Sequence, residues 1–285
     1  MECLRRMSGA IALAGLMVTA GCQPAEPDPA SPLPQASLAH EQPEGAGIVV
    51  LDAGLAAEVF AEGAQVEKLT EDLFGWSEGP VWIRDGGYLL FTDVPGNTIH
   101  KWSEEAGLET FLQPSGLVGE DTEGVFREPG ANGLIPGDMP GAILLADHGN
   151  RGIARLDLET KEKTFLATRF DGKRFSSPND LVLAEEGAIY FTDPPYGLRE
   201  LDASPFREMA FNGVYLWRPD DEGGSVRVID DSLTRPNGIV RSPDGGTLYV
   251  AVSDPDAARV YAYTLGADGL AMKRRVFADL TDASM

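Results

Sequence analysis

The chain has 285 residues, of which 43% are hydrophobic, 24% charged and 8% aromatic. That is apolar content enough for a sizeable core, and it excludes a chain that stays unfolded throughout. Asp and Glu number 45 against 23 Lys and Arg, giving a formal net charge of -22; phosphate backbones repel such a chain, so nucleic acid is not an expected partner, whereas cations are attracted.

At the N-terminus, Arg5 and Arg6 precede the apolar run Ile11 to Val18, which ends in Thr19-Ala20-Gly21 before Cys22. The layout predicts a signal peptide over residues 1–21, too short to span a bilayer permanently. A cysteine directly after small residues resembles a bacterial lipoprotein signal, which implies lipidation at Cys22. Gln23 after it resembles the outer-membrane sorting class. The expected location is therefore the bacterial envelope, at the outer membrane facing the periplasm, with the lipid on Cys22 as the membrane contact. Cys3 and Cys22 are the two cysteines, and cleavage would leave Cys22 alone, without a disulfide partner. Residues 22–46 hold six prolines among Ala, Ser, Gln and Glu and are expected to be a semi-extended tether.

From residue 47 onward no helical period is sustained. Short β-rich runs recur between Gly, Pro, Asn and Asp, in keeping with 33 glycines and 20 prolines in the chain. One unit recurs four times: a sharp opening, an apolar strand, a turn, and a second strand that in three copies ends in Asp or near it. The copies open at Glu78, Asn132, Asn179 and Asn237, at intervals of 54, 47 and 58 residues. Each interval accommodates one four-stranded antiparallel sheet, and the period predicts an all-β fold, a β-propeller. Innermost strands of a propeller face its central channel, so the four opening residues are expected to meet at one mouth. One carboxylate with neutral amides is an oxygen donor set that suits a hard cation such as calcium. His40, His100 and His148 have no paired spacing, which argues against a His/Cys zinc site.

Four ordered motifs carry a family resemblance: Ser-Glu78-Gly-Pro-Val-Trp82, Ser-Pro-Asn179-Asp180-Leu-Val, Tyr-Phe-Thr-Asp-Pro-Pro-Tyr-Gly197 and Arg-Pro-Asn237-Gly-Ile-Val. Over about residues 58 to 285 the chain resembles the SMP-30/gluconolactonase family of six-bladed propellers. The resemblance implies a divalent-metal lactonase, usually calcium-dependent, with a small lactone or ester as substrate. It implies Glu78, Asn179 and Asn237 as metal ligands, and Asn132, His148 and Arg174 at the substrate rim. Asp180 is then either an assistant that orients Asn179 or its water, or a turn cap. The family's fourth ligand, an Asp in Pro-Asp-Gly that often also serves as base, is expected one repeat after Asn237, at roughly position 284 to 295. The chain reads Thr281-Asp282-Ala283-Ser284-Met285 there. The base is thus expected beyond Met285, with about five of six blades in this chain, which would make it a piece of a longer frame that binds calcium weakly. Asp244, in Ser-Pro-Asp-Gly-Gly, belongs to a turn within its own blade and does not replace the missing ligand.

The chemistry implied is attack of water on a ring carbonyl polarised by a cation. Gly-x-Ser-x-Gly is absent, so no serine nucleophile is expected. Two other functions fit the same residues: an envelope propeller that binds a ligand without turnover, and an esterase or phosphotriesterase using the same cation.

Overall fold

The structure is a computed structural model that describes residues 53–61, 64 and 66–281. The expected signal peptide at 1–21, the tether at 22–46 with Cys22, and the segment 282–285 lie outside the described residues. Residues up to Glu67 form a unit separate from residues 68–285. In the first, helix α1 (Ala53–Val59) has the sequence Ala-Gly-Leu-Ala-Ala-Glu-Val, in which the alanines, Leu and Glu favour a helix and Gly54 and Val59 do not.

In the second unit every copy of the repeat is one four-stranded antiparallel sheet whose strands follow chain order. The first holds β1 (Ser77–Ile83), β2 (Tyr88–Asp93), β3 (Thr98–Ser103) and β4 (Gly107–Leu112); the second holds β5 (Ala131–Pro136), β6 (Ala142–Asp147), β7 (Gly152–Asp157) and β8 (Lys163–Ala167). A short hairpin of β9 (Arg169–Phe170) and β10 (Lys173–Arg174) leads to the third, with β11 (Leu181–Leu183), β12 (Ile189–Asp193), β13 (Asn212–Arg218) and β14 (Ser225–Leu233). The fourth holds β15 (Pro236–Arg241), β16 (Thr247–Val252), β17 (Arg259–Leu265) and β18 (Ala271–Asp279). The described residues therefore build four blades of a β-propeller, against the expectation of about five. The difference lies before Ser77, where the described residues form α1 and no strand.

Three cores lie between successive blades. Val81, Leu90, Leu134 and Leu145 join the first to the second; Leu144, Ile153, Phe191 and Tyr215 join the second to the third; Tyr190, Leu216, Leu248 and Val250 join the third to the fourth. Side chains alternate across a strand, so the odd and even residues of β6 and β12 enter different cores. Both strands are buried along their whole length. β16 alternates between buried and half-buried positions, and every second residue faces the third blade. Full burial of each large aliphatic or aromatic side chain contributes about 1.5–3 kcal/mol, and these contacts fix the spacing of the first strands. β1 packs on β5, β5 on β11, and β11 on β15.

Candidate functional site

Where the first strands meet, a cavity of about 230 Å³ is lined by Glu78, Asn132, Asn179, Asp180 and Asn237 with their neighbouring glycines and Pro80. All four opening residues read from the repeat thus come together. The local cause at three of the openings is a break in strand register. β1 shifts between Glu78 and Val81, β5 between Ala131 and Leu134, and β15 between Pro236 and Ile239. A bulge re-aims side chains that strict alternation would send into the cores. In the third blade, β11 starts after the opening, at Leu181.

Close approach of neighbouring openings demands glycine at position 79. Its φ is +52°, and a Cβ there would lie 2.5 Å from the Asn132 carbonyl oxygen and 2.6 Å from the Leu134 nitrogen. The next contact is a hydrogen bond from the Gly133 N–H to the Asn179 carbonyl at 2.9 Å. The third copy has Asp180 where the others have glycine. Its Oδ1 accepts the Leu181 N–H at 2.8 Å, and its Oδ2 accepts the Ile239 N–H, from the fourth blade, at 3.0 Å. Both oxygens are committed to backbone, so Asp180 caps its own turn and also ties blade to blade. Burial raises its pKa, with the Glu78 charge adding to the effect and the two N–H groups opposing it.

The repeated Thr-Asp at the end of the second strand holds the openings in place. Thr92 Oγ1 donates to the Asn132 carbonyl at 3.1 Å, and Thr192 Oγ1 donates to the Asn237 carbonyl at 2.7 Å. Asp93 Oδ1 accepts from Gly75 and Trp76, and the Asp193 oxygens accept from Ser176 and Ser177. Each Asp thereby fixes the loop that leads into a first strand. These residues were visible in the sequence as a repeated Phe-Thr-Asp, but not their reach to the next blade.

Within the cavity, Glu78 Oε1 accepts the Trp76 indole N–H at 2.8 Å, and Asn237 Nδ2 donates to Ser253 Oγ at 3.4 Å. Asn179 and Asn132 are buried. Asn132 Nδ2 stands 3.3 Å from His148 Nε2. His148 is fully buried behind Asn132 and does not line the cavity. Burial pushes its imidazole down to about 3, so it is neutral. Arg174 is on β10, off the cavity, with Nη2 donating to the Asn150 carbonyl at 3.3 Å. Asp244 sits in the turn between β15 and β16, accepting from Ser242 Oγ and the Gly246 N–H.

Sequence reasoning missed Glu128. It comes from the irregular loop before β5, outside any repeat, and that loop is bridged to the Tyr196-Gly197-Leu198 segment through Phe126 and Leu198 and through the Arg127 N–H to the Gly197 carbonyl at 2.9 Å. Burial pushes the Glu128 carboxyl up to about 7, with the Glu78 charge reinforcing it and Arg127 opposing it.

No three His, Cys, Asp or Glu side chains gather as a cation site among the described residues. The donor set at the cavity is of another kind, one carboxylate with side-chain amides, and such oxygen donors suit calcium or a similar hard cation. The Glu78 charge also raises the affinity of Glu128 and Asp180 for protons, a repulsion among carboxylates that a cation would relieve. The residues present therefore fit a divalent cation.

The family described as SMP-30/Gluconolactonase/LRE-like region matches residues 76–285. A gluconolactonase of Zymomonas mobilis is 43% identical over 225 residues, which are 79% of this chain and 59% of that protein. The solved structure of a gluconolactonase from Xanthomonas campestris superposes with a TM-score of 0.59 at 31% identity, covering 72% of this chain and 63% of the other. A calcium-binding regucalcin from Agrobacterium tumefaciens, 21% identical with a TM-score of 0.53 and coverage of 75% and 63%, shares the fold. The chain spans less than two thirds of the length of each of these three relatives.

Proposed function

Because the chain belongs to the SMP-30/gluconolactonase/LRE-like family, we propose that it carries the cation and substrate site of a gluconolactonase-like lactone hydrolase. The observation that carries this is the meeting of Glu78, Asn132, Asn179 and Asn237, from four blades, on one cavity. Glu78, Asn179 and Asn237 would hold the cation. Bound there, calcium or another divalent ion would polarise the ester carbonyl and offset the oxyanion charge.

The protein's own residues bind and orient. Asn132 presents its amide to the substrate, while His148 supports that amide from behind. Asp180 positions the third and fourth openings through its two backbone bonds, so it is a positioning residue and leaves the role of base open. Arg174, off the cavity and bonded to the Asn150 carbonyl, is not assigned to the substrate. Hydrolysis adds water across the ring ester: a C–O bond forms to the carbonyl carbon, the ring C–O bond breaks, and the released alkoxide takes a proton to give a hydroxy acid. We propose further that a lipid on Cys22 holds the protein at the envelope.

Calcium binding and acid release test this together. Calcium is expected to raise the melting temperature of the wild type and not of Glu78→Ala, and acid release from glucono-δ-lactone is expected with calcium and not with a chelator. Equal calcium stabilisation in Glu78→Ala refutes the ligand assignment. Calcium binding with no acid release from a panel of sugar and aliphatic lactones favours a propeller that binds without turnover.

A further inference from the structure

Asn132 and two polar side chains behind it, from three separate segments, form a line that the repeat does not encode. Asn132 comes from the bulge of β5, His148 from the turn after β6, and Glu128 from the bridged loop. Asn132 Nδ2 is 3.3 Å from His148 Nε2, and His148 Nδ1 faces Glu128 Oε2 at 3.7 Å. Nδ1 is buried and makes no hydrogen bond among the described residues, so the carboxylate at 3.7 Å is an ion-pair neighbour, and the Glu128 backbone faces the same ring and favours its protonated form. All three residues are buried, Glu128 at 8% exposure, Asn132 at 3% and His148 at 0%.

A neutral imidazole has one donor and one acceptor nitrogen, and what stands beside one nitrogen decides the role of the other. A carboxylate beside Nδ1 makes Nδ1 the donor and leaves Nε2 to accept. Only the amide nitrogen of Asn132 can donate to Nε2, so its carbonyl oxygen is the end turned from His148. We propose that Glu128 is a positioning residue which, through the tautomer of His148, holds the Asn132 amide with its oxygen toward the cavity. All four blade openings then offer oxygen acceptors there, which suits a cation and hydroxyl donors on the substrate and disfavours an anionic ligand. Without Glu128 the imidazole and amide could both reverse, and an NH₂ group would face the cation instead.

The proposal concerns the same cavity as the lactonase reading and rests on it for its catalytic consequence alone, so the test begins with the tautomer. Protein labelled with ¹⁵N in its three histidines, with His148 assigned by a His148→Gln variant, is observed by NMR at pH 8.5. Glu128, which burial pushes up to about 7 with Arg127 opposing and the Glu78 charge adding, and which faces Arg127 and His148, is ionised at that pH. The wild type is expected to show a proton on His148 Nδ1. Glu128→Gln keeps it there, because the amide oxygen still accepts, and Glu128→Leu moves it to Nε2. A proton on Nε2 in the wild type, or an unchanged tautomer in Glu128→Leu, overturns the proposal. The wild-type spectrum decides alone if the leucine variant does not fold. With glucono-δ-lactone, Glu128→Leu should raise KM about 3–10-fold, the loss of one oriented hydrogen bond, and Glu128→Gln should restore it. An Nδ1 proton in a wild type without lactone turnover refutes the activity and supports the positioning role.

Discussion

Gly79→Ala tests the geometry that brings the blade openings together. The new methyl group would sit 2.5 Å from the Asn132 carbonyl oxygen and 2.6 Å from the Leu134 nitrogen. Both are backbone atoms of a packed strand, so β1 and β5 must move apart. Overpacking of this kind costs about 1–3 kcal/mol, and holding a residue with a side chain at φ +52° adds about 1–2 kcal/mol. The total, about 2–5 kcal/mol, lowers the melting temperature by about 4–20 °C at this size. Gly87→Ala is the control. That glycine also has a positive φ, +62°, but nothing lies within 4 Å of where its Cβ would be, so only the cost of about 1–2 kcal/mol for the backbone applies. Thermal and urea unfolding of the two variants, followed by circular dichroism, measure the difference. Losses equal to within about 0.5 kcal/mol, the ordinary scatter of surface changes, would show that close approach of β1 and β5 is not what fixes glycine at position 79. The separation should also carry Glu78 away from Asn132, so calcium should stabilise Gly79→Ala less than the wild type.

Thr192→Val keeps the shape of the side chain and removes the donor to the Asn237 carbonyl at 2.7 Å and the acceptor for the Asp180 N–H at 3.2 Å. Leaving a buried polar group unpaired costs about 1–3 kcal/mol, and Thr192→Val should cost more than Thr92→Val, whose donor bond to Asn132 is 3.1 Å; equal urea midpoints would contradict this ranking. The pH dependence follows from Glu128 and Asp193, both pushed up to about 7 chiefly by burial. Each holds a proton in the folded state that it releases on unfolding, between its ordinary value near 4 and about 7, so their contribution to stability falls as pH rises through that window and is flat above it. Glu128→Gln removes one of the two titrations. Its stability relative to wild type should therefore rise between pH 4.5 and 7 and level off by pH 8, as read by urea unfolding across that range; a difference independent of pH would refute the assignment.

Much of the site was legible because the fold is a repeat. A recurring opening residue, spaced by one sheet, must return to the same place in each blade, so the sequence alone groups Glu78, Asn132, Asn179 and Asn237, and the pattern of short strands and turns suffices for the all-β propeller. The same logic placed Asp244 in a turn within its own blade. Local patterns of this sort are set by backbone periodicity and turn chemistry, which adjacent residues determine between themselves. Tertiary structure decided what lies between the repeats. Glu128 has no periodic signal, and it reaches His148 because its loop bridges to residues 197 and 198, some 70 positions later in the chain. Asp180 looked like either a cap or an assistant until the fourth blade supplied the Ile239 N–H to its second oxygen. The proton affinities of Glu128, His148 and Asp193 follow from desolvation, and desolvation depends on which distant segments cover a group, a quantity no stretch of sequence carries on its own.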